Sequence, residues 1–133
     1  MKTVIVHGAG SSMKMTSKVG NLDLTIDRTD EMGPSSLELL LLSLGACTYA
    51  TVAHFMERKN FSVDPLAIEL SGERAENGLY EKLFVNVVLN DQVPEDQRSV
   101  ILNVANTCRI HKTLHNSVEI SVGIKFKAET TVL

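Results

Sequence analysis

The chain predicts an α+β fold with mainly antiparallel pairing, and three observations carry that prediction. Several short stretches alternate apolar and polar residues, the period of two that a half-buried strand requires. One long stretch, from Leu37 to Ala53, is instead apolar on nearly every face, the mark of a helix enclosed by protein. The order along the chain is three strands, a long helix, two strands, a second helix and a closing strand, with too few helices between strands for a parallel βαβ sheet.

Lys2–His7 alternates weakly around Val4 and Val6, and Gly8-Ala-Gly-Ser-Ser12 breaks it as a turn. Met13–Val19 and Leu22–Ile26 read as the arms of a hairpin closed by Gly20-Asn21. A charged connection, Asp27–Met32, then leads into the long helix and contains Arg28. Pro34, Ser35 and Ser36 supply helix-start chemistry, because a serine oxygen accepts a bond from an unpaired first-turn amide. Arg58 and Lys59 suit the negative end of the helix, and Asn60 is a stop residue. Gly45 inside the helix costs about 1 kcal/mol relative to alanine. Its return is close approach of another element.

Beyond Asn60, Ile68–Arg74 and Leu79–Leu89 form a second hairpin around Ala75-Glu-Asn77-Gly78. Pro94, Glu95 and Asp96 open a second helix, in which Val100, Ile101, Val104, Ala105 and Cys108 recur at helical spacing. Cys108 is therefore expected to face inward. If that helix continues, His111 shares its face with Cys108. Ser117–Phe126 alternates again as the closing strand.

Composition bounds the function classes. With 133 residues there is room for one domain, spanning 1–133, and no repeat or linker divides it. A net charge of −3 without clustered lysine or arginine leaves no footprint for nucleic acid or an acidic membrane surface. The run Leu37–Met56 has about the twenty residues a bilayer needs. Glu38, His54 and the hydroxyls of Ser43, Thr48 and Thr51 argue against a span, and no second apolar run exists to pack on it. The opening residues do not read as a signal peptide, and two cysteines without a CxxC pair are too few for a disulfide-stapled secreted domain. A reducing, cytoplasmic setting is the expectation.

The cysteines are the candidate chemistry. Cys47 lies far from the start of its helix, so that helix's dipole cannot lower its pKa, and a reactive thiolate needs a cation from Arg28 or Arg109. The competing reading is a small core residue. Cys108 stands near Arg109 and His111, a reactive arrangement or half a metal site. Zinc would need four ligands, and Cys47, His54, Cys108 and His111 do not occur at zinc-motif spacings.

Taken together, Gly33-Pro-Ser-Ser-Leu-Glu38-Leu-Leu-Leu-Leu-Ser-Leu-Gly45-Ala-Cys47-Thr and, about sixty residues on, Cys108-Arg-Ile-His111-Lys-Thr-Leu114 resemble the OsmC/Ohr family, in its broader OsmC-like branch. The resemblance covers the chain in element order. It implies the OsmC-like fold, with a long central buried helix, and an intertwined homodimer with paired sites at its interface. It further implies that Cys47 is a peroxidatic cysteine attacking a small organic hydroperoxide and that Cys108 condenses with the resulting sulfenic acid. An external dithiol, of lipoyl type in the family, then reopens the disulfide, and no bound cofactor is implied. Arg28 corresponds by rough position to the family's site arginine, and Glu38 to its site glutamate. That glutamate belongs ten residues before the first cysteine, which is Leu37 here. Glu38 is one position late, about 100° around a helix, and suits an N-terminal dipole partner. Arg109 stands where the family commonly has proline. The alternative is a non-catalytic or redox-sensing OsmC-like stress or binding protein with structural cysteines.

Overall fold

The computed structural model describes residues 3–8 and 10–126 of the chain. Lys2 and Ala9, from the first predicted strand and turn, lie outside the described residues. Three strands open the fold: β1 (Ile5–Gly8), β2 (Lys14–Val19) and β3 (Leu22–Asp27) form an antiparallel meander in that order. Val19 pairs with Leu22, so Gly20-Asn21 closes a two-residue turn, and Gly20 takes the φ of +61° such a turn asks of its first residue.

Helix α1 (Ser36–Arg58) follows. Ser35 caps it, and the Glu38 side chain returns a bond to the Ser35 backbone, so two orphan amides are satisfied together. At the far end the Asn60 N–H donates to the Glu57 carbonyl and the Phe61 N–H to the Met56 carbonyl, while Asn60 adopts φ +60°. This is the left-handed stop that asparagine tolerates after a helix.

β4 (Ala67–Arg74) and β5 (Tyr80–Val88) form the second antiparallel hairpin, which packs on α1 through β4. A Cβ on Gly45 would stand 2.6 Å from Leu70 Cδ2. The glycine therefore lets the strand lie against the helix, the close approach its position calls for. α2 (Glu95–Ala105) and α3 (Arg109–His115) pack on another side of α1. Val52, Phe55 and Met56 of α1 meet Val93, Ile101 and Ala105 in the core.

Two expectations are corrected. The second helix does not run through Cys108: it ends at Ala105, and α3 begins at Arg109 with Cys108 as its N-cap in extended backbone. His111 consequently does not share a continuous helical face with Cys108. Among the described residues Ser117–Ile124 joins neither sheet, and Val118, Ile120, Val122 and Ile124 are exposed. As its sequence indicates, α1 is long and apolar enough by composition to cross a membrane. In the fold, Leu44, Gly45, Thr48, Val52, Ala53, Phe55 and Met56 are buried against protein, whereas Leu42 and Tyr49 on its open side are 59% and 40% exposed. Enclosure is thus on one side within the single chain.

Candidate active site

Cys47 sits midway along α1, one turn after the buried Leu44 and one turn before Thr51. Thr51 Oγ1 donates to the Cys47 carbonyl at 2.8 Å. Cys108 reaches the same place from the joint between α2 and α3, where it is 1% exposed. The break in the helix makes this meeting work. The first amides of a helix lack intrahelical partners, and here the Ile110 and Arg109 N–H groups, with the Cys108 side chain, turn toward the Cys47 sulfur.

Burial acts most strongly on Cys47 and raises its pKa, since a thiolate loses hydration in protein. Hydrogen bonds from the Cys108 side chain, the Ile110 and Arg109 amides and Thr51 together outweigh burial and hold the thiol below its ordinary value. Both cysteines are free. The arrangement therefore offers a partly exposed thiol biased toward thiolate, with a second thiol against it. That is what nucleophilic attack followed by disulfide closure needs.

The expected cation is not what lowers the Cys47 pKa; backbone amides and the second thiol do so. Continuous helical periodicity through Cys108 hides these donors in the sequence. The signal available was Asn106-Thr107, two poor helix formers directly before the cysteine.

Within the single chain neither Glu38 nor Arg28 is among the groups that act on the Cys47 sulfur. Nine residues of helix separate Glu38 from Cys47, about 13 Å along the axis and half a revolution around it. Glu38 Oε1 instead accepts from the Ser35 N–H at 3.1 Å and from Ser35 Oγ at 2.9 Å. It also shares a hydrogen bond with Asp30, which lowers the Glu38 pKa and raises that of Asp30. Arg28 follows β3 with an exposed side chain, its backbone N–H donating to the Met13 carbonyl at 2.9 Å. His111 lines a separate cavity with Glu81 and His115. Among the described residues no three His, Cys, Asp or Glu side chains converge as a metal site would require.

Known proteins share this arrangement of elements. A family model described as OsmC-like protein matches residues 28–123, which include both cysteines. An OsmC like protein of Mycoplasma pneumoniae superposes with a TM-score of 0.75 at 21% identity, covering 86% of this chain and 87% of that one. A hypothetical protein of Aquifex aeolicus VF5 gives 0.74 at 26% identity, covering 88% and 89%. The organic hydroperoxide resistance protein OhrB of Bacillus subtilis gives 0.58 at 22% identity, covering 88% and 92%. An uncharacterized protein of Haloferax volcanii is 23% identical over 111 residues, 82% of this chain and 84% of its own.

Proposed function

We propose, from the premise that this chain belongs to the OsmC-like protein family, that it is a thiol-dependent peroxidase reducing organic hydroperoxides in defence against oxidative stress. The family has a stress-related, hydroperoxide-resistance theme. The observation that carries the finer reading is the pair of free thiols facing each other, with Cys47 held toward thiolate.

The cycle balances on these two residues. The Cys47 thiolate attacks the distal oxygen of R–O–O–H, the O–O bond breaks, and the leaving alkoxide takes a proton to become R–OH. Cys47 is now a sulfenic acid, oxidised by two electrons. The Cys108 sulfur attacks it, forming the S–S bond and releasing water. An external dithiol of lipoyl type returns two electrons and two protons, and becomes a disulfide itself. A reducing, cytoplasmic setting suits two free thiols.

A second copy of the chain completes this reading. The open side of α1, with Leu42 and Tyr49, borders an apolar cavity of ≈ 500 Å³, and Val118, Ile120, Val122 and Ile124 are exposed at alternate positions of the segment after α3. Apolar surface of both kinds is what an isologous interface buries.

The test is thiol titration with intact mass before and after one equivalent of cumene hydroperoxide, with sedimentation velocity on the same samples. Wild type is expected to sediment as a dimer, lose two thiols and lose about 2 Da as the disulfide forms. Cys108→Ser is expected to stop at a Cys47 sulfenic acid that dimedone traps. Thiols that survive for minutes would overturn the peroxidase and leave a redox-inert binding protein.

A further inference from the structure

Among the described residues, the threonine hydroxyls of the helical segments bond to backbone carbonyls, and one of them does so differently. Thr48, Thr51 and Thr113 each donate at 2.8 Å to the carbonyl four residues back, the acceptor a continuing helix uses anyway. Thr107 Oγ1 donates instead to the Val104 carbonyl, three residues back, at 2.6 Å, and the Thr107 N–H donates to the same oxygen at 2.9 Å. The Cys108 N–H follows with the Ala105 carbonyl at 3.3 Å, again three residues back. The chain is thus wound into a tighter turn just past α2, and Cys108 leaves it in extended backbone at φ −52° and ψ 132°.

That turn decides where two amides go. Were α2 to run on, the Arg109 N–H would donate to the Ala105 carbonyl and the Ile110 N–H to that of Asn106, and neither would be left for a sulfur. With the helix closed, both act on Cys47. Apolar spacing does not close it, since Ile101, Ala105 and Cys108 fit a continuous helix. Nor does a cap on α3, because Cys108 makes no side-chain capping bond there. The doubly held Val104 carbonyl does, and Thr107 supplies both donors.

We propose that Thr107 is a positioning residue of the site: its hydroxyl, by holding the Val104 carbonyl, closes α2 before Cys108 and keeps the Arg109 and Ile110 amides free for the Cys47 sulfur. Thr107 is not itself among the groups that act on that sulfur, and it works through the backbone. Its part in turnover rests on the peroxidase reading above. The aiming of the amides does not.

Three substitutions isolate the hydroxyl, and the exposed position of Thr107 spares the core. Thr107→Ser keeps it, Thr107→Val replaces it with a methyl of similar shape, and Thr107→Ala removes it in favour of the best helix former. The readout is the pH profile of Cys47 alkylation by iodoacetamide, with the modified cysteine identified by peptide mass. His54, Arg58 and Arg109 on one side of the joint, and Glu81, His111 and His115 on the other, stay in place in every variant. Thr107→Val and Thr107→Ala are expected to react about three- to tenfold more slowly than wild type below the midpoint and at least as fast above it, while Thr107→Ser keeps the wild-type profile. A wild-type midpoint in Thr107→Val would overturn the proposal, as would a shift in Thr107→Ser as large as that in Thr107→Val. A rate raised at every pH, the sign of a merely loosened fold, would overturn it too. Wild type alone supplies a second readout: the Arg109 and Ile110 amide resonances are expected to move with the Cys47 titration, and amides that stay still overturn the assignment whatever the variants do. If the profiles shift as expected while wild type consumes no cumene hydroperoxide, the peroxidase reading falls and the positioning role stands.

Discussion

The entrance of α1 and its middle are both rich in polar chemistry, yet they use it in opposite ways. At the entrance every group is turned inward on its neighbours: Ser35 bonds Glu38, Glu38 bonds Asp30, and Asp27 accepts from the Thr29 hydroxyl at 2.6 Å and from the Met32 amide at 3.0 Å. In the middle, the Cys47 sulfur receives donors from a different part of the chain and remains partly exposed. A carboxylate consumed by a helix cap has no capacity left for a distant sulfur. Proximity in sequence to a reactive residue is therefore a poor guide to participation, whereas donors converging from separate elements are a good one.

The sharpest way to break this contrast is to exchange the roles by mutation. Cys47→Ser is expected to lower peroxide consumption at least about a hundredfold, because the alcohol lacks a usable anion. Glu38→Gln is expected to change the single-turnover rate by less than about threefold, since 13 Å or so of helix lies between it and the sulfur. A large rate loss in Glu38→Gln would return the carboxylate to the site. Next in size is the pH dependence of Cys47 alkylation. The thiol is held below its ordinary value, so thiolate should persist into a range where a free cysteine is protonated, and the rate should fall only as pH drops through the lowered pKa. A midpoint at or above that of glutathione would remove the amide donors from the account. Smallest is Ser35→Ala, expected to cost about 1 kcal/mol in urea unfolding while leaving the alkylation rate of Cys47 unchanged.

Much of the fold was legible because local chemistry and tertiary structure agree. Gly20-Asn21 and Asn77-Gly78 mark real turns, Ser35 with Glu38 is a capping box, and Asn60 stops the helix with the backbone angle its side chain tolerates. The joint at Cys108 was not legible, because Ile101, Ala105 and Cys108 keep helical spacing straight through the break between α2 and α3 and all three are buried. The same break hid the amides of Arg109 and Ile110, which are available to the sulfur only because α2 ends before them. The segment 117–126 shows the opposite failure. Its alternation is plain in the sequence, but a strand exists only where a neighbour supplies the ladder, and neither described sheet takes up residues 117–124.

Cys108 occupies a joint, and Cys47 the middle of the longest rod in the structure. A bond between them would close a loop of about 60 residues. In the chain-entropy account that restricts the unfolded polypeptide enough to add about 4 kcal/mol to stability. Oxidation by a peroxide would thus clasp α1 to the second half of the chain, and the arriving dithiol would undo the clasp. The melting temperature of the protein would then record its recent redox history, with each turnover tightening and slackening the whole fold.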